Sequence, residues 1–343
     1  MHRTHRPALT AVATFLLGAV FVEPASAALT FSTFVSQSGI TGTGLSSATI
    51  GFAYAGNKFV GSIQGDGAGY LYQTDLSGGS VSLFAPTVSL AGTAASEHYV
   101  SSSLGLGGFP SRDIYVASGN GVMHISNDGT SSNTFVTGLN GTVRGILFDP
   151  VGTFGNDMLI TTTSGDIYRV NSAGTATLLA STGEDTEGLD IAQTGPDAGK
   201  LIVASEGSGS IRSITPGGAM TVIATVSSAE ELSVVPLGIN VASPIEGFYA
   251  ANYAVDVQKV DASQCVGMAG DIVITGETSH NITVLHWNGA SYDTSTIGTF
   301  PNQPEDGIFV STAIVDAPEP ASLGLFALGL GAAGLIRRRK SGR

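Results

Sequence analysis

Cysteine, tryptophan and charge are all scarce in this chain. The single Cys265 excludes a disulfide framework and any cysteine-rich zinc site. Charged residues are 12% of the 343, far too few for a coiled coil or a charged disordered chain. Lys and Arg number 14 against 27 Asp and Glu, and the formal net charge of −13 argues against a nucleic-acid partner. Long apolar runs are missing between the two ends. What is plentiful is glycine, with 47 copies beside many Val, Ile, Ser and Thr. That mixture predicts many short strands joined by tight turns.

The ends read as addresses. Arg3 and Arg6 precede an apolar run from Ala8 to Val22, and Ala25-Ser26-Ala27 follows. A basic start, a short apolar core and small residues at Ala25 and Ala27 are what signal peptidase reads. Residues 1–27 are therefore expected to be a signal peptide cleaved after Ala27, on a chain that crosses the inner membrane. The apolar run is shorter than the ~20 residues a permanent anchor needs. At the other end stand Pro318-Glu319-Pro320, the apolar stretch Ala321–Ile336 and the basic cluster Arg337-Arg338-Arg339-Lys340. At 1.5 Å per residue that stretch is roughly 24 Å long, a short transmembrane helix. Its basic end would stay on the cytoplasmic side.

These three ordered elements resemble the PEP-CTERM sorting signal of Gram-negative bacteria, over residues 317–343. The resemblance implies an exosortase as partner, cutting near Pro318-Glu319-Pro320. It also implies transient inner-membrane anchoring and release to the cell surface or to an extracellular matrix such as a biofilm. A permanent anchor is the alternative.

Setting both ends aside changes the charge. Residues 28–316 keep 7 basic and 25 acidic groups, a net of −18. Such a body repels anionic polymers and attracts cations.

The middle repeats a four-strand unit. One copy runs through Gly145–Asp149, Asp157–Thr162, Gly165–Val170 and Thr175–Ala180. Three others begin at Gly51, Tyr99 and Gly188. A fifth is expected to run Gly247–Ala251, Asp271–Gly276, Asn281–Trp287 and Ser295–Phe300, with an insertion holding Val255–Val260. Turn glycines at 79, 129, 174, 218 and 289 mark the period. A recurrence at about 40–50 residues predicts an all-β fold, a β-propeller of four-stranded antiparallel blades across 28–316. Gly307–Ala313 reads as the first strand of a sixth blade, with Leu29–Val35 as its partner, so six blades are favoured over five or seven. The pattern resembles NHL and gluconolactonase-type propellers across roughly residues 45–315.

Chemistry is more weakly marked. Residues just before the innermost strands would line the channel mouth: Arg144, Glu187, Glu246, and Glu305 with Asp306. Convergent carboxylates would suit a hard cation such as Ca2+. The gluconolactonase likeness implies a divalent-metal site and nominates Glu187 and Glu246, with Asn252 as a further ligand. That family's paired Asn ligands and catalytic Asp find no place in register. Alternatively, the Glu-Gly and Asp-Gly pairs mark blade-opening turns alone. His98, His124, His280 and His286 lack the close pairing of a zinc site, and Cys265 has no basic neighbour to activate it.

Three functions stay open. The favoured one is a non-catalytic surface or matrix propeller that binds a polysaccharide, a surface protein or calcium, with no required cofactor. The others are a metal-dependent lactonase-like hydrolase and a purely structural matrix component.

Overall fold

Along Asp166–Val170 the buried side chains are Ile167 and Val170, with Tyr168 and Arg169 half-exposed between them. Three apart on an extended strand, the two face opposite sides and pack against different neighbouring sheets. The computed structural model describes residues 28–312 and shows six four-stranded antiparallel sheets around one axis. Ala25, Ala27, Pro318, Glu319, Pro320, Arg337, Arg338 and Arg339 lie outside the described residues.

The first four blades follow the chain outward from the axis. Their innermost strands are Thr49–Tyr54, Val100–Leu104, Val143–Phe148 and Leu189–Ile191. Each is followed by three antiparallel neighbours, ending in Val81–Leu83, Ser132–Val136, Ala176–Ser181 and Met220–Thr225. Turn glycines Gly174 and Gly218 sit at φ +76° and +84°, the left-handed region that side chains disfavour.

The last two blades correct the repeat reading. The fifth opens with Ala229–Val234 and continues through Ile272–Gly276, Asn281–Trp287 and Tyr292–Thr299. Gly247–Asn252 is not its first strand. That segment and Asp256–Asp261 form a hairpin that leaves the fifth blade and supplies the two middle strands of the sixth. The inner strand of the sixth is Pro304–Val310 and its outer strand is Ser32–Val35. Both ends of the described residues thus meet in one closing blade, as expected, but on opposite edges of it rather than as direct partners.

Six apolar clusters hold the ring, one between each pair of neighbouring blades. Leu159 and Ile167 of the third blade pack with Leu201 and Val203 of the fourth. Across the closure, Phe52, Phe59 and Tyr72 of the first pack with Tyr249 and Val257 of the sixth. Fully burying one such side chain contributes about 1.5–3 kcal/mol.

Glycines let the inner strands crowd the axis. A Cβ on Gly145 would stand 2.5 Å from the Glu187 carbonyl oxygen, and one on Gly51 2.6 Å from that of His98. In both cases the obstacle is backbone of the next blade, which cannot step aside. This close approach brings the side chains flanking the inner strands together around the channel.

Candidate functional site

Each inner strand starts on the same face of the ring, so residues at those starts share one mouth. Tyr99 precedes the inner strand of the second blade and is buried; its hydroxyl donates to Glu187 Oε2 at 2.7 Å. Arg144, on the third, places Nε 3.0 Å from Glu187 Oε1 and Nη2 3.0 Å from Asp185 Oδ2, and its Nη1 pairs with Glu97. Glu187 itself is held by its backbone, since its carbonyl accepts the Thr161 hydroxyl at 2.9 Å.

Further carboxyls close on this core. Glu230 opens the inner strand of the fifth blade and is buried. Glu206 comes from the loop between Leu201–Ser205 and Ser210–Ile214. Single ligand atoms of Glu187, Glu206 and Glu230 all lie within 4.8 Å of one another. Gln303 Nε2 donates to Glu305 Oε1 and to Glu277 Oε1, at 2.8 Å each, tying the sixth blade to the fifth. Among the described residues, Arg144 is the one basic side chain in ion-pair contact with this set.

Electrostatics follow from that imbalance. Burial, with Glu187 beside it, pushes the Glu230 carboxyl well above the usual range. Glu305 is pushed up to about 8 by burial and by the charges of Glu187 and Glu277. Glu206 rises to about 7, first through a hydrogen bond shared with Glu277 and then through burial. Burial opposes the charge on Arg144, but Glu187 and Asp185 outweigh it and its pKa rises. The mouth thus holds more acid than it can ionise near neutral pH.

The expected site residues divide. Glu187 and Glu305 come together, close enough for the charge of one to raise the other's pKa. Asp306, one residue along, turns to the other side of its strand and accepts the Phe52 N–H at 2.9 Å. Glu246 belongs elsewhere. It enters a second strand that runs antiparallel to the inner one, so Gly247 pairs with Val310 at the far end. There its carboxylate accepts the N–H groups of Asn240 at 2.6 Å and Thr312 at 2.9 Å. Asn252 faces into the closing blade, where its Nδ2 donates to Asp256 Oδ1 at 2.7 Å.

Sequence reading missed Glu230, Glu206, Glu277 and Tyr99. A signal for one was present: Glu230-Glu231-Leu232 repeats the pattern of Glu187-Gly188-Leu189 and Glu305-Asp306-Gly307-Ile308. The donor set is all carboxylate oxygen, which fits a hard cation such as Ca2+ and suits a soft one poorly.

Solved structures share the fold at low identity. A candidate oxidoreductase (glucose dehydrogenase) from Thermus thermophilus aligns with a TM-score of 0.55 at 12% identity, covering 81% of this chain and 90% of that one. A protein of unknown function from Bacteroides thetaiotaomicron aligns at 0.52 and 12%, covering 80% and 69%. No curated protein matches the chain in sequence. Residues 316–340 match the PEP-CTERM protein-sorting motif. The chain is a six-bladed β-propeller carrying a sorting motif that implies export, transient membrane anchoring and exosortase processing.

Proposed function

We propose that this chain is a non-catalytic binding module of the cell surface or matrix whose acidic channel mouth holds a divalent cation, Ca2+ by its chemistry. The observation that carries this reading is the approach of Glu187, Glu206 and Glu230 to within 4.8 Å, with Arg144 as the one basic side chain paired to the cluster among the described residues. Burial first, and then the charge of neighbouring carboxylates, raises the pKa of Glu230 and Glu305, and a divalent ion there would relieve that repulsion. It would also leave coordination positions for oxygens of a polysaccharide or of a partner protein. Isothermal titration of the purified full chain with Ca2+ tests it. One site per chain is expected, lost in Glu230→Gln; absence of heat at millimolar Ca2+ removes the reading.

One observation favours a second reading. Glu206 titrates near 7, where a carboxyl serves as general acid or base, and it lies within the same cluster. A lactonase-like hydrolase would show ester or lactone turnover that chelator abolishes and Ca2+ restores.

A further inference from the structure

The channel continues past the acidic mouth into a second chamber. Toward the C-terminal ends of the inner strands it opens into a cavity of about 170 Å³, walled by Leu104, Phe148 and Phe309. Its charged lining groups are the carboxyls of Glu231, Asp306 and Asp190 and the guanidinium of Arg112; Asp190 is taken up by the N–H groups of Ile191 and Val234.

Glu231 and Asp306 mark the inner end, both buried and both lining the cavity. Each follows a mouth carboxyl by one residue, so strand alternation turns it away from the mouth and into this chamber. Asp306 is met by the backbone N–H groups of Phe52, Gly307 and Val100. The Glu231 carboxyl receives the N–H of Leu232 and faces the charge of Asp306. A carboxylate has about four acceptor sites, so one backbone donor leaves Glu231 capacity for another.

The outer end is different in sign. Arg112 lines the cavity there and lies over the Tyr54 ring, its Cζ 5.4 Å from the centroid. Among the described residues no carboxylate pairs with this half-buried guanidinium, and burial pulls its pKa down. Ser311 lines the same chamber, is buried, and its hydroxyl has no hydrogen-bond partner. Asp306 lies on the inner strand and Ser311 just beyond its end at Val310, five residues and at most about 16 Å along the chain, and both line the chamber.

We propose that this chamber binds a small zwitterion whose ammonium and carboxylate lie at opposite ends of a compact apolar spacer. The ammonium meets Glu231 and Asp306. The carboxylate meets Arg112 and the Ser311 hydroxyl, and the spacer lies between Leu104, Phe148 and Phe309. An apolar cavity of about 150 Å³ accepts benzene, so this one takes a single ring with two short arms. A simple cation would leave Arg112 unanswered, and a simple anion would face the acidic floor. An α-amino acid, with both charges at one end, cannot reach both. The site adjoins the mouth through Tyr99, but the proposal does not rest on a cation being held there.

Titration calorimetry on the purified full chain tests it with three ligands of one shape: 4-(aminomethyl)benzoate, 4-methylbenzylamine and 4-methylbenzoate. One molecule of 4-(aminomethyl)benzoate is expected per chain, with each methyl analogue weaker by about tenfold or more, the scale of one lost charge-assisted hydrogen bond. Arg112→Gln erases the zwitterion's advantage over 4-methylbenzylamine, and Glu231→Gln its advantage over 4-methylbenzoate. Asp128→Asn, an acid removed from an exposed turn of the second blade, changes neither. Binding of all three alike, or of none, overturns the proposal on the native chain without recourse to any variant. An advantage that survives both substitutions overturns it as well.

Discussion

The hydroxyl of Tyr99, from the second blade, donates to Oε2 of Glu187, from the fourth, at 2.7 Å across the channel mouth, while Arg144 of the third holds Oε1 of the same carboxylate. One side chain is thereby gripped from two other blades. Tyr99→Phe removes only the hydroxyl and leaves a buried carboxylate oxygen short of a donor. A loss of about 1–3 kcal/mol is expected by urea denaturation, with secondary structure unchanged by circular dichroism.

Arg144 carries more. Its removal leaves Glu97, Asp185 and Glu187 without their shared cation. Arg144→Met should cost about 3 kcal/mol, and the cost should shrink in saturating Ca2+ if a divalent ion takes its place. Thermal melting with and without the ion reads this directly.

Stability should depend on pH in a direction opposite to ordinary acid denaturation. Glu305 and Glu206 have folded-state values of about 8 and 7, above the usual 4.5. Between about 4.5 and 8 the folded chain holds protons that the unfolded chain has released, so raising pH through that window removes stability. Melting temperature should therefore be higher at pH 5.5 than at pH 8. Equal values at the two pH would count against the crowded mouth. Asp75 and Asp128 are lowered by hydrogen bonds in exposed turns and act only below this window.

Crowding at the axis can be tested by one methyl group. A Cβ at Gly188 would strike the Leu232 nitrogen and the backbone of Glu231. Gly188→Ala should cost about 1–3 kcal/mol by overpacking, or more where the backbone cannot shift. Gly183→Ala is a poor control because φ there is +76°; Gly217, beyond 3.5 Å of any neighbour and outside the left-handed region, is the better one.

Processing is testable by fractionation. Replacing Pro318, Glu319 and Pro320 with alanine should leave the chain uncut in the inner-membrane fraction, whereas the native chain is expected at the surface or in the medium. Release of the altered chain at the native rate would contradict processing through this motif.

The blades were legible where their four strands are contiguous and their turns carry glycine, as around Gly129, Gly174 and Gly218. Legibility failed at Ala229–Val234. That strand reads Ala-Glu-Glu-Leu-Ser-Val, and two adjacent acids look like a loop until one sees that one faces the mouth and the other the chamber. With that strand hidden, Gly247–Asn252, apolar and glycine-led, took its place in the repeat. Glu246 was then counted with Glu187 and Glu305 because it stands before a strand, although strand direction sets it at the other end of the ring. The short Lys and Arg count correctly foretold an acidic body. It did not foretell that Arg144 would sit in the middle of the densest acid.

The closing blade sets a timetable for this molecule. Its outer strand ends at Val35 and its inner strand at Val310, only six residues before the sorting motif begins. A ring with one blade missing leaves open the faces of its two neighbours, and that gap cannot be filled until the chain is available as far as Val310. Ser32–Val35 waits for Asp256–Asp261 before it can pair, and the blade is complete only when Pro304–Val310 adds its inner edge. Completion of the ring thus requires the chain almost up to the sorting motif, so the folded body closes immediately before the segment that the motif marks for processing.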